Sequence, residues 1–86
     1  MAKDSRAAEQ AILTLLRERA PDRTICPSEV ARTLAESDER ADWEPCMELV
    51  RAAAARLVAA GKIDVTQHGT VIDLVHAKGP LRLRLR

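Results

Sequence analysis

Four side chains in this sequence, Cys26, Cys46, His68 and His76, are of the types that ligate zinc. Seven others, Arg51, Arg56, Lys62, Lys78, Arg82, Arg84 and Arg86, carry the positive charge that grips phosphate. Protein zinc sites are built from closely spaced ligand pairs, and neither the cysteines nor the histidines are paired in that way, so no metal site is expected. Cys26 stands where a helix is expected to begin, a place that stabilises a thiolate and would suit a redox switch. The plainer reading is a small apolar thiol packed in the core, and both cysteines are expected to be reduced. There is no glycine-rich phosphate loop and no paired nucleophile and base, so neither an enzymatic activity nor a cofactor is expected.

The basic residues fall on two patterned segments. From Trp43 to Ala60 the sequence has helical spacing, with Cys46, Val50, Ala53, Ala54 and Leu57 on one side and Met47 and Val58 at its edge. The side opposite Val50 and Leu57 holds Glu48, Ala52, Ala55 and Ala59, and Arg51 and Arg56 flank it. Arginine reads base edges or phosphates, and alanine lets a helix approach closely. The same alanines would equally suit a homodimer seam or a partner-docking face, or reflect no more than high helix propensity. The second segment is the tail, where Leu81, Leu83 and Leu85 alternate with Arg82, Arg84 and Arg86. An extended chain puts the leucines on one face, pinning an extra strand to a sheet, and the arginines on the other. Lys62, His68 and Lys78 fall near the ends of a hairpin and would join that surface.

The chain of 86 residues has room for one domain, spanning 1–86. Its core must be aliphatic, because Trp43 is the only aromatic residue, and Trp43 is expected to cap the helices rather than stack on bases. A hydrophobic content of 47% with 31% charged residues is that of a folded globular domain. No apolar run approaches the roughly 18–20 residues of a membrane span, and the N-terminus turns polar at once, so the chain is expected in the cytoplasm without membrane contact. The net charge of +1 is unevenly divided. Residues 1–42 carry seven Lys/Arg against nine Asp/Glu, and residues 43–86 carry seven against four. The positive half holds the long helix and the strands, although the overall balance is well short of a strongly basic nucleic-acid binder.

Around these segments the elements follow from punctuation. Asp4 or Ser5 caps a first helix whose buried face is Ala8, Ile12, Leu15 and Leu16, and Pro21 ends it near Arg19. Thr24-Ile25-Cys26 is β-prone. Pro27 suits the first turn of a second helix, with Glu29 favourable to its dipole and Val30, Ala31, Leu34 and Ala35 facing inward. Ser37 to Asp42 reads as a solvated loop. Asp42 is expected to cap the third helix, with Pro45 in its first turn and Gly61 as its left-handed stop. Ile63 and Val65 then alternate with Asp64 and Thr66 in a strand, His68-Gly69 makes a turn, and Val71 to Val75 forms the return strand.

Helix, short strand, helix, long helix, hairpin is an α+β arrangement, a three-helix cluster flanked by a short antiparallel sheet, in the order of a winged helix. The chain resembles a small bacterial winged-helix family of uncharacterised function. The resemblance rests on the segment Ile25 to Arg32, on Trp43, Met47, Val50-Arg51 and Leu57, on Gly61-Lys62-Ile63 and Thr66-Gln67-His68-Gly69, and on Gly79 to Leu83. It implies the fold and a kinship but no activity, and Glu44 stands where it implies a basic residue. Two functions are then expected to compete. One is binding of duplex DNA, as a regulator or accessory factor with a helix-turn-helix, with residues 43–60 against the major groove. Arg51 and Arg56 would contact it, and Lys62, Lys78, Arg82, Arg84 and Arg86 would hold phosphates. The other is a protein-interaction module, homodimeric or docking a different partner through the alanine stripe or the tail, motivated by Glu44, Glu48 and the near-neutral charge.

Overall fold

Asp4 starts the first helix by accepting a hydrogen bond from the Ala7 amide at 2.9 Å. In the computed structural model, which describes residues 4–19, 23–74 and 79–86, this helix is α1 (Ser5–Glu18). Ala8, Ile12 and Leu16 are buried along it, and Leu15 is only half-buried at the edge of that stripe. After β1 (Thr24–Ile25), Pro27 opens α2 (Pro27–Ala35) at a position whose missing N–H costs nothing. Glu29 accepts from the Cys26 amide at 3.1 Å and also receives the Arg19 guanidinium, which ties the end of α1 to the start of α2. Val30 and Ala31 are buried, and Leu34 and Ala35 pack half-buried beside them. At the end of α2, Glu36 adopts a left-handed φ of 54°, and the Ser37 amide bonds back to the Arg32 carbonyl at 3.2 Å.

The third helical run begins earlier than Asp42 and is not one regular helix. It comprises α3 (Arg40–Trp43), a 3₁₀ turn (Glu44–Cys46) and α4 (Met47–Ala59). Asp42 lies inside α3, and its carboxylate accepts the Ser37 hydroxyl at 2.7 Å instead of capping an amide. Pro45 explains the interruption: it offers no N–H to the preceding turn, so the backbone tightens locally before α4 resumes. Val50, Ala53, Ala54 and Leu57 are the buried face of α4, with Cys46 buried just before it and Met47 and Val58 half-buried. The helix ends at Gly61 (φ 74°), where the Gly61 and Lys62 amides bond to the Val58 and Leu57 carbonyls, both at 2.9 Å.

Four strands form one antiparallel sheet in the order β1-β4-β2-β3, where β2 is Ile63–Gln67, β3 is Thr70–Val71 and β4 is Arg82–Leu85. His68 (φ 52°) and Gly69 (φ 80°) both take positive φ, the geometry of a two-residue turn whose twist matches the strands it joins. The return strand is shorter than the expected Val71 to Val75. Its register runs through Thr70 and Val71, one further bond joins the Ile72 amide to the Val65 carbonyl at 2.9 Å, and Leu74 is then buried in the core. Val75 lies outside the described residues. The tail is the additional strand that its alternation predicts, and β4 sits between β1 and β2 at the centre of the sheet.

Ile25, Leu83 and Val65 lie side by side across β1, β4 and β2, and all three are essentially fully buried. With Ile63 and Leu81 they meet the buried faces of α1, α2 and α4 in one aliphatic core. This α+β arrangement, three helical runs against a four-stranded antiparallel sheet, is compatible with a winged-helix-like organisation. No helix among the described residues is long and apolar enough to cross a membrane.

Candidate nucleic-acid interface

Burying one face of α4 leaves Glu48, Arg51, Ala52, Ala55, Arg56 and Ala59 exposed on the other. The helix therefore presents a low ridge of methyl groups between two arginines, as its sequence pattern predicts. Arg51 leans toward the approach to β4 and donates to the Leu74 carbonyl at 3.2 Å. There it borders an apolar cleft of about 430 Å³, lined by Cys26, Met47, Val50, Leu74, Leu81 and Leu83 among others. Arg56 leans the opposite way and meets Glu9 of α1 at 3.3 Å. Both members of that pair are solvent-accessible, so the pair contributes little and is readily exchanged for another anion.

The tail arginines occupy a different surface. Leu83 is buried on the core side of β4, so the alternation of the strand sends Arg82, Arg84 and Arg86 outward. Arg82 donates to the Thr24 hydroxyl at 2.9 Å and to its carbonyl at 3.2 Å. Arg84 and Arg86 both approach Asp64 of β2, at 3.5 and 3.8 Å. The Arg86 amide bonds to the Lys62 carbonyl at 3.1 Å, so Lys62 stands beside this row. The structure thus gathers Lys62, Arg82, Arg84 and Arg86 on the outer face of the sheet and sets Arg51 and Arg56 apart on α4. Lys78 lies outside the described residues.

The sequence reading missed Asp64, the carboxylate that orients two of the arginines. Its signal was present, because Asp64 alternates outward between Ile63 and Val65. Its pairing with Arg84 follows only from β4 lying beside β2, a contact between segments about twenty residues apart.

The remaining candidates have structural surroundings. Trp43 packs half-buried against the core, donates from its indole N–H to the Asp38 carbonyl at 3.2 Å, and has the Arg32 and Arg40 guanidiniums each 5.9 Å from its ring centre. Glu44, through its hydrogen bond and its charge, holds Arg40 above the ordinary arginine range. Both cysteines are free thiols: Cys46 is buried, and half-buried Cys26 lies 3.1 Å from the Ser28 hydroxyl. Among the described residues no three His, Cys, Asp or Glu side chains come together in a group able to hold a metal ion. His76 lies outside those residues.

Residues 5–86 match the family described as "Protein of unknown function (DUF3253)". The chain belongs to the DUF3253 family. No curated protein matches it. In this DUF3253 domain the matched span includes every described helix and strand, so both basic surfaces lie within the family's own fold unit.

Proposed function

We propose that this DUF3253 domain is a winged helix that binds duplex DNA, as a regulator or accessory factor, with the exposed face of α4 against the major groove. The observation that carries the reading is the profile of that face. Ala52, Ala55 and Ala59 keep it low enough for close approach, while Arg51 and Arg56 lean to opposite sides, toward the two walls of a groove. The order of helix, strand, helix, long helix and hairpin supports the fold. Such contacts position the helix by charge more than they specify a sequence. Fluorescence anisotropy with a random duplex at low salt tests this. Binding that weakens as salt is added supports the reading, and binding absent at micromolar protein, or indifferent to salt, removes it.

A second reading has its own observation. Beside the alanine stripe lies a shallow groove lined by Asp42, Pro45, Cys46, Glu48, Leu49 and Ala52. Its two carboxylates disfavour phosphate, and its apolar floor suits a protein surface, either a second copy or another chain. Sedimentation across a concentration series distinguishes self-association from a monomer that docks a different protein.

A further inference from the structure

We infer that the outer face of the sheet is a second nucleic-acid contact, separate from α4, on which Lys62, Arg82, Arg84 and Arg86 hold the phosphodiester backbone of one extended single strand. It goes beyond the duplex reading of α4 and does not depend on it.

The register of the sheet builds this face. Arg84 lies opposite Asp64 and Arg82 opposite Thr66, and the Arg86 amide bonds to Lys62, so two rows run side by side. One is Arg82-Arg84-Arg86, and the other is Thr66-Asp64-Lys62, of which Thr66 is itself buried. Thr24 of β1 borders the arginine row on its other side, opposite Arg84. Four cations therefore stand against one carboxylate on a chain whose net charge is only +1. The face is separate from α4 because both elements bury their other sides in the same core.

Spacing selects the ligand. Alternate residues of a strand stand roughly 6–7 Å apart, so the Cα atoms of the three arginines span roughly 13 Å, with the Arg82 guanidinium leaning to Thr24 on one side and those of Arg84 and Arg86 to Asp64 on the other. That interval is close to the separation of consecutive phosphates along an extended nucleic-acid strand. A duplex backbone turns away from a flat face after one or two phosphates, whereas an extended single strand follows the row. Guanidinium groups suit phosphate because their planar forks donate two hydrogen bonds at once. None of the seven residues of this face, Thr24, Lys62, Asp64, Thr66, Arg82, Arg84 and Arg86, is aromatic. Without an aromatic ring among them, the strand is held mainly through its backbone, with little sequence preference.

Asp64 is the internal competitor. It is largely shielded and lies 3.5 and 3.8 Å from Arg84 and Arg86, which makes two long contacts that orient the guanidiniums while opposing a phosphate. Neutralising it should strengthen strand binding, a gain that a damaged fold would not produce.

The test is anisotropy of a labelled oligothymidylate and of a random duplex, each over a salt series. It compares the wild-type chain with R82Q/R84Q/R86Q, D64N and R51Q/R56Q, and circular dichroism checks each fold. The wild type is expected to bind oligothymidylate. The triple variant should bind it at least about tenfold more weakly, with the log K against log salt slope reduced by about 2, from roughly 0.7 per phosphate on single strands. D64N should bind it more tightly, and R51Q/R56Q should leave it unchanged while weakening the duplex. Absence of oligothymidylate binding, a triple variant that binds like the wild type, or a D64N that gains nothing overturns the inference. Duplex binding that depends on Arg51 and Arg56 stands or falls separately.

Discussion

Two residues in left-handed geometry test the backbone cost of this fold in opposite directions. Glu36 ends α2 at φ 54° although it carries a side chain, and left-handed geometry costs an L-residue about 1–2 kcal/mol. Glu36→Gly removes that strain and, after the extra entropy of glycine in the unfolded chain, should stabilise the domain by about 0.5–1 kcal/mol. Gly69 at φ 80° is the converse. A Cβ built there meets nothing within 4 Å, so Gly69→Ala costs backbone strain alone, about 1 kcal/mol. In a domain of this size 1 kcal/mol is about 4–8 °C in Tm, so calorimetry should show one variant melting above the wild type and the other below it. Exposed ion pairs such as Arg56–Glu9 should matter far less, and Glu9→Gln is expected to leave Tm almost unchanged.

At the scale of elements, β4 has the largest influence for its length. Its four residues pair with β1 on one side and β2 on the other, so the sheet has no continuity without it. Leu83 is 0% exposed at its centre, between Ile25 and Val65. Leu83→Ala should cost about 2–5 kcal/mol, and urea denaturation should show the midpoint falling with little change in slope. Removal of residues 81–86 should leave a chain with no cooperative unfolding transition, since β1 and β2 would then have no common partner. The interruption at Pro45 belongs to this scale as well: it divides α3 from α4 and allows Trp43 to fold back under Arg32 and Arg40 before α4 begins.

For the whole molecule, the consequence of one shared core is two separate basic surfaces. The α4 face offers two arginines beside Glu48, and the sheet face offers four cations beside Asp64. If α4 lies against duplex DNA, R51Q/R56Q should weaken duplex binding and lower the salt slope by about 2, at roughly 0.9 per phosphate contact. The modest net charge of +1 sets an expectation for strength too, because association should be measurable at low salt and largely lost at high salt. A stable homodimer in sedimentation, with α4 variants that change the association and leave duplex affinity untouched, would assign that helix to protein contact instead.

Periodicity, with the punctuation of caps, prolines and glycines, was enough to read most of the buried face of each main helix. The spacing of Val50, Ala53, Ala54 and Leu57 marks the face of α4 that is buried, and Gly61 marks its end, because helix amphipathicity and glycine caps are local properties. Although Leu85 at the end of the strand is exposed, the sorting of Leu81 and Leu83 from the arginines in the tail was legible for the same reason, since a strand's alternation needs no partner to be read. Its place in the sheet was not. Which strands neighbour β4 depends on contacts with Thr24-Ile25 and Ile63–Gln67, far away in the chain, and no local pattern encodes a distant register. The shortness of β3 was likewise decided by packing, through the burial of Leu74, whereas the interruption of the third helical run is a local effect of Pro45. The chain thus carries its basic residues openly in its sequence. Only the tertiary structure divides them between two faces, because one core has to lie between α4 and the sheet.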